Sequence, residues 1–249
     1  MENVNKLSVS GLDFSYGDKK ILQDLSFDVK AGEFVSILGP SGCGKSTLLN
    51  ILAGILKVER GEVCIEGQKV EGVNPHFAYM PQNDLLLPWK TILDNVCLYS
   101  EIHGNKKEVK ALAAEQMKRF GLEGYENSFP SELSGGMRQR AAFLRTTLCD
   151  ADIYLLDEPF GALDVITRND LQDWLVKLCR DLNKTILLVT HDTDEAIYLS
   201  DRILILGRPG EGIRQEIRIE EKDRSREWLY DQGKLRGEIY NIIKQKASL

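Results

Sequence analysis

The chain has 249 residues, 43% apolar and 28% charged, the proportions of an ordinary globular protein with enough apolar content for a sizeable core. A formal net charge of −6 and an isoelectric point near 5.3 argue against nonspecific binding to nucleic acid or anionic lipid, since both need a basic surface. No apolar run approaches the ~20 residues of a membrane-spanning helix, and the start Met1-Glu2-Asn3-Val4-Asn5-Lys6 lacks the apolar segment of a signal peptide, so the chain is expected to be cytosolic and soluble by itself.

In chain order, Leu7 and Val9, then Leu12, Phe14 and Tyr16, then Leu25, Phe27 and Val29 alternate as in a half-buried antiparallel sheet. Residues 33–38 (EFVSIL) are a short buried strand by pattern, and residues 46–53 (STLLNILA) begin a helix. The run joining them, Gly39-Pro40-Ser41-Gly42-Cys43-Gly44-Lys45-Ser46-Thr47, satisfies G-x-x-x-x-G-K-[ST] in full. Glycines let backbone N–H groups wrap a polyphosphate, Lys45 neutralises β/γ oxygens, Ser46 ligates Mg2+ and the positive helix end faces the phosphates. This is a nucleotide phosphate cradle, which alone leaves kinase, GTPase, motor and transporter open. Five scattered cysteines (Cys43, Cys64, Cys97, Cys149, Cys179) form no C-x-x-C pair and fit a reducing compartment. Cys43 lies inside the cradle, where an alkylating reagent is expected to block nucleotide if the loop is accessible.

Residues 61–65 and 77–80 give two further strands, the second ending at Pro81-Gln82. A helical stretch follows from about Leu93 to Leu148. Within it Val109, Leu112, Ala113, Met117 and Phe120 fall at helical spacing before a C-capping Gly121. Residues 153–156 (IYLL), 185–190 (TILLVT) and 202–206 (RILIL) are short apolar runs, and Leu171, Trp174, Leu175 and Leu178 mark one face of a helix between the first two. Strands and helices in alternation imply an α/β fold with a mostly parallel sheet, helices on both faces and active groups at the strands' C-terminal ends. Trp228, Leu229, Leu235, Ile239, Ile242 and Ile243 indicate terminal helices packing on the core.

A phosphate cradle needs a carboxylate for Mg2+, and Asp157, at the end of the 153–156 strand, supplies it. Glu158 follows, placed to polarise the water that attacks the γ-phosphate. His191 ends a third strand in the same layer, where it can hydrogen-bond the γ-phosphate.

Between these elements lies Leu133-Ser134-Gly135-Gly136-Met137, and here the chain closely resembles the ATP-binding-cassette ATPases, whose signature motif this run matches. The resemblance covers nearly the whole chain. It implies that Tyr16 stacks on adenine, that Gln82 links Mg2+ to the transporter contact, that Ala162-Leu163-Asp164 is the D-loop and that His191 is the switch histidine. It also implies a P-loop NTPase fold: residues of about 1–92 and 150–210 a RecA-like core with an antiparallel β subdomain, about 93–149 a helical subdomain carrying the signature, and about 211–249 terminal helices. Ser134, Gly135 and Gly136 open a helix, an anion-binding end of their own, which in the family faces the ATP of a second copy. Two ATPs are then buried between head-to-tail subunits, with Lys45, Ser46, Gln82, Asp157, Glu158 and His191 on one side of each and the signature on the other. One departure is visible after the signature, where family members often carry alanines and this chain has Phe143-Leu144-Arg145-Thr146-Thr147-Leu148.

The length disfavours cassettes with two ATPase halves, and the compact insert disfavours repair-type members. A small GTPase is disfavoured because Asn183-Lys184-Thr185-Ile186 lacks the aspartate of Asn-Lys-x-Asp, and no acceptor-binding lid marks a kinase. The separate ATPase subunit of a transporter remains, with ATP and Mg2+ as ligands, a second copy and integral membrane permease subunits as partners, a solute-binding protein as an indirect one, and no nucleic acid. The expected location is the cytoplasmic face of the bacterial inner membrane. Asp84-Leu85-Leu86-Leu87-Pro88-Trp89 is either a socket for a permease helix or packing for the helical insert. Its Leu-Leu-Pro-Trp run and Gly207-Arg208-Pro209-Gly210 resemble the nitrate, sulfonate and taurine importer branch; systems for vitamin precursors such as hydroxymethylpyrimidine share the pattern.

Overall fold

The computed structural model of the protein describes residues 5–104 and 106–244. The N-terminal alternation becomes two long antiparallel strands, β1 (Asn5–Tyr16) and β2 (Lys19–Lys30). Leu7, Val9, Leu12, Phe14, Leu25 and Val29 are buried on their inner face, with period-2 alternation on either side of a register shift between Val9 and Leu12. β4 (Arg60–Ile65) pairs with the other edge of β1, and β5 (Gln68–Val70) closes a four-stranded sheet of order β2-β1-β4-β5.

A second sheet holds β3 (Phe34–Leu38), β6 (Phe77–Met80), β7 (Ile153–Asp157), β8 (Thr185–Val189), β9 (Arg202–Leu206) and β10 (Ile213–Arg218), in the order β10-β9-β3-β8-β7-β6. All its neighbours pair in parallel except β10, which is antiparallel to β9. Every residue of β3, β7, β8 and β9 is buried. Strands covered on both faces read as continuous apolar runs rather than alternation, which is why the short runs were legible. One face of this sheet packs on the antiparallel sheet and α1 (Lys45–Leu52). The opposite face packs on α6 (Val165–Leu182) and on helices of the insert, α2 (Ile92–Val96), α4 (Lys106–Arg119) and α5 (Gly135–Thr147), while α3 (Leu98–His103) lies against α2 and α4. A third cluster joins β9 to α7 (Thr193–Leu199), α8 (Arg226–Tyr230) and α9 (Gly233–Lys244).

Two expectations are corrected. Residues 211–249, expected to be helical, open with β10 before α8 and α9; residues 245–249 lie outside the described residues. With charges at Arg214, Glu216 and Arg218 and no fully buried position, β10 is a polar edge strand and carries no apolar run to announce it. Leu112, placed by spacing on the apolar face of α4, is exposed, while Ala113, Met117 and Phe120 are fully buried. A residue next to the stripe lies about 100° around the helix from it.

Candidate active site

Four adjacent strands of the parallel sheet, β3, β8, β7 and β6, end on one side. β3 runs into Gly39, β8 into Thr190-His191, β7 ends in Asp157 ahead of Glu158, and β6 leads to Pro81-Gln82. Their ends border a cleft of about 630 Å3 lined by Gly39, Ser41, Gly42, Gly44, Lys45, Ser46 and Thr47, with Tyr16, Ile21, Gln82, Glu158 and His191. Ile21 is a wall that no motif in the sequence marks.

The cradle is built as its glycines dictate. Gly42 and Gly44 have φ of 74° and 108°, a left-handed backbone that other residues adopt at a cost. A Cβ on Gly44 would also lie 2.8 Å from the Ile21 side chain. The Lys45 ammonium, carried by the first residue of α1, donates to the carbonyls of Gly39 and Pro40 at 2.9 and 3.1 Å. Tyr16 lies at the mouth, half exposed, its ring edge-on to Phe14. Pro40 is part of the loop but not of the cleft wall.

Cys43 is turned away from the cleft and is 2% exposed. A Cβ on Gly39 would come within 2.8 Å of its sulfur, so it fills the space under the loop. Burial pushes its thiol up, against the pull of Lys45, and thiolate character is what reactivity requires. The expectation that alkylation of Cys43 blocks nucleotide is tied to an accessible loop, and this buried thiol does not meet that condition. Iodoacetamide on the native protein should leave Cys43 unmodified, by peptide mass spectrometry, with ATP binding intact; rapid labelling would contradict this packing.

Asp157 is 3% exposed, and its Oδ1 is buried without a hydrogen-bond partner. Burial pushes its carboxyl above the ordinary range, opposed by the Ser46 hydrogen bond and by Lys45 and reinforced by Glu158. An orphaned buried carboxylate oxygen beside a hydroxyl is a donor set that suits a hard, oxygen-seeking cation such as Mg2+. Glu158 turns out of the strand with φ of 49°, its N–H held by the Val189 carbonyl at 2.9 Å. Its carboxylate accepts from Gln82 Nε2 at 3.0 Å, and its Oε1 lies 3.2 Å from His191 Nδ1. Side chains from the ends of β6, β7 and β8 thus meet at one carboxylate.

The signature run lies elsewhere. Ser134 caps α5, its hydroxyl accepting the Met137 N–H at 3.3 Å. Ser134 and Gly135 are exposed, Leu133 is buried, and a Cβ on Gly136 would sit 3.3 Å from the Ala162 carbonyl. Asp164 caps α6 by accepting the Thr167 N–H at 3.0 Å. The structure brings Tyr16, the cradle, Gln82, Asp157, Glu158 and His191 together, and residues 133–137 do not line their cleft.

A polar network behind His191 was not anticipated. Glu195, buried in the first turn of α7, shares a 2.6 Å hydrogen bond with Thr190. Asp192 caps the same helix through the N–H groups of Asp194 and Glu195, and the Asp-x-x-Glu spacing of 192–195 is a cap signal in the sequence. Arg168 of α6 reaches Asp192 at 3.5 Å and the Leu163 carbonyl at 3.2 Å. Burial raises the Glu195 carboxyl to about 7, opposed by the Thr190 hydrogen bond, Arg168 and His191 and helped by Asp192. A carboxyl raised on folding binds more protons in the native state than in the unfolded one, so stability falls as pH climbs from the unfolded value toward 7. Glu195→Gln should accordingly raise Tm relative to the parent at pH 8, with the gain shrinking by pH 5 in paired thermal melts.

A family model described as ABC transporter matches residues 22–161. The chain belongs to the ABC transporter family. It is 41% identical to an uncharacterized ABC transporter ATP-binding protein of Methanocaldococcus jannaschii, over 99% of this chain and 91% of that one. It is 44% identical to the taurine import ATP-binding protein TauB of Yersinia pestis bv. Antiqua, over 83% and 81% of the two chains. With the formylaminopyrimidine import ATP-binding protein ThiZ of Halalkalibacterium halodurans the identity is 47%, over 80% and 78%. The cassette superposes on the dimeric structure of a bacterial ABC transporter cassette with a TM-score of 0.77 and 31% identity, covering 87% of this chain and 100% of that one. A post-hydrolysis state bound to ADP and Pi gives 0.76 at 30% identity, with the same coverage. The cassette is thus an ABC-type ATPase with the α/β architecture read from its sequence.

Proposed function

We propose that this cassette is the ATP-hydrolysing subunit of a bacterial importer, bound to the cytoplasmic face of the inner membrane and energising solute uptake through a separate permease fed by a solute-binding protein. The observation that carries it is the surface strip beside Gln82. Leu85 is 62% and Trp89 70% exposed on the segment that leads directly from a glutamine bonded to Glu158. Leu86, between them, is buried and packs with the insert's core, while the exposed Leu85 and Trp89 support the docking reading for the rest of the run. No helix among the described residues is long and apolar enough to cross a membrane, and the TauB and ThiZ relatives are import ATP-binding proteins.

In this assignment ATP lies in the cleft with adenine against Tyr16 and its phosphates in the Gly39–Thr47 loop, Lys45 neutralising their charge. Ser46, Gln82 and Asp157 would hold Mg2+, which when bound neutralises phosphate charge. Glu158 takes the proton of the attacking water, and His191 orients that carboxylate and the γ-phosphate. Ser134 and Gly136 of a second copy close the site, aided by Asp164, so that loss of the γ-phosphate contacts loosens the dimer.

Co-purification with candidate importer permeases tests the assignment. Leu85→Glu with Trp89→Glu should abolish capture while ATP binding by the isolated cassette stays unchanged; undiminished capture would exclude the strip as the docking surface. The two named relatives divide the solute between a taurine or sulfonate and a pyrimidine vitamin precursor. Stimulation of ATP turnover by the solute-loaded binding protein in proteoliposomes distinguishes them.

A further inference from the structure

The run Gly207-Arg208-Pro209-Gly210, with Glu211 and Gly212, turns the chain from β9 into β10. It lies along the part of β2 that carries the Ile21 wall of the cleft. The Gly210 N–H donates to the Ile21 carbonyl at 3.0 Å, and a Cβ on Gly212 would stand 3.4 Å from the carbonyl oxygen of Gln23. Ile21 is itself irregular. Phe14 and Ser15 of β1 face Leu22 and Lys20, so Ile21 is the extra residue of a bulge in β2. A bulge re-aims its side chain, and that of Ile21 is buried and packed against Gly44 of the cradle.

The loop has a fixed shape. One carboxylate oxygen of Glu211 accepts the Arg208 N–H at 2.7 Å and both Nε and Nη2 of Arg214, at 2.9 and 2.5 Å. The Gly207 N–H donates to the Gly212 carbonyl at 2.9 Å, and Arg214 also donates to the Ile242 carbonyl of α9 at 3.1 Å. Gly210 has φ of 82°, a left-handed backbone that a side chain would strain. A Cβ on Gly207 would fall 2.5 Å from the Glu211 carboxylate. Leu206, the residue before the loop, places its carbonyl where a Cβ on Gly39 would lie 2.9 Å away. The loop therefore starts beside the first cradle glycine and closes on the opposite wall at Ile21.

A bulged residue interrupts the ladder that fixes its neighbours, so the grip of Gly210 on its carbonyl decides where the Ile21 side chain stands. A radial gap of about 0.5–1 Å forfeits roughly a quarter to a half of an apolar contact's attraction. Ile21 shares its hairpin with Tyr16, which pairs with Lys19 two residues before it. We propose that the 207–212 loop is a positioning element for the nucleoside end of ATP, with Glu211 holding the loop in the shape that sets Ile21 against the base and ribose while touching no phosphate. The proposal rests on the placement of adenine against Tyr16 given above.

Calorimetric titration with ATP and with inorganic tripolyphosphate, each with Mg2+, separates the two ends of the nucleotide. Glu211→Ala should weaken ATP binding about fivefold, the scale of one hydrogen bond's net contribution, and leave tripolyphosphate binding at the parental level. Glu211→Gln keeps an acceptor for the Arg208 N–H and should recover most of the loss. Ile21→Ala should also weaken ATP, and adding Glu211→Ala to it should cost little more, because the loop acts through a side chain already removed. Arg214→Met takes away the other partner of Glu211 and gives the reading if Glu211→Ala does not fold. Undiminished ATP affinity in the folded loop variant, an equal loss for tripolyphosphate, or fully additive losses in the double variant overturns the proposal. Tyr16→Ala with parental ATP affinity instead overturns the adenine placement on which it rests.

Discussion

Glu158→Gln is expected to bind ATP with parental affinity, to elute as a stable nucleotide-bound dimer, and to release phosphate at least ~100-fold more slowly than the parent, the range for loss of a general base. The substitution is nearly isosteric. Both carboxylate oxygens of Glu158 face hydrogen-bonding side chains, Gln82 at 3.0 Å and His191 at 3.2 Å, and neither neighbour belongs to the phosphate cradle. An amide can keep the general shape of this cluster but cannot accept a proton from water. In the proposed assignment ATP binding rests on Lys45, Ser46 and the loop backbone, so it is expected to be left alone, with closure stopping at the step before cleavage. Size-exclusion chromatography with ATP and Mg2+ and a phosphate-release assay read the two halves separately. A variant that stays monomeric, or that hydrolyses at the parental rate, would remove Glu158 from the role of base.

Ser134→Arg is expected to abolish ATP-dependent dimerisation, and with it turnover, while monomer affinity for ATP remains within about twofold, the spread of a surface substitution. The exposed Ser134 hydroxyl makes one capping bond, to the Met137 N–H. Its loss costs about 1 kcal/mol at a helix end, which leaves the fold intact. In the proposed dimer, however, the long arginine side chain would stand where a second molecule's nucleotide approaches. Ser134→Ala separates the cap from the obstruction, since it should retain much of the dimer. Equilibrium binding of a fluorescent ATP analogue to the monomer is the decisive control: loss of that binding would mean that the signature serves its own cradle.

The sequence was most informative where chemistry and burial coincide. A loop that must wrap phosphate has little freedom in its residues, and β3, β7 and β8, covered on both faces, show as bare apolar runs ending in Gly39, Asp157 and the Thr190-His191 pair. Much less was visible where side chains act across the chain. Cys43 stood out because it lies inside the cradle, and only the packing shows that its side chain is buried under the loop. Arg145 lies in the run that differs from the family's alanines, where Thr146 and Thr147 were the replacements at issue, and its partners, two backbone carbonyls of residues 84 and 85, leave no trace in side-chain identity. β10 was missed for a related reason, because an edge strand with charged residues gains its order from β9 rather than from its own pattern. Glu195 falls between these cases: the cap spacing was readable, but its burial and altered proton affinity follow only from the packing of α6 against α7.

The row of strand ends behind the cleft acts as a ruler. Neighbouring strands stand about 4.8 Å apart, so β3, β8, β7 and β6 set out their four functional ends over roughly 14 Å. A residue inserted into β7 or β8 would move its terminal group by about 3.3 Å and turn it to the opposite face, an error that no adjustment of the loops repairs. Tolerance to insertion should therefore be high in connections remote from this edge and vanishing within the strands. Heat inactivation should coincide with melting of the sheet itself, because the spacing of the reactive groups has no existence apart from the hydrogen-bond ladder that measures it.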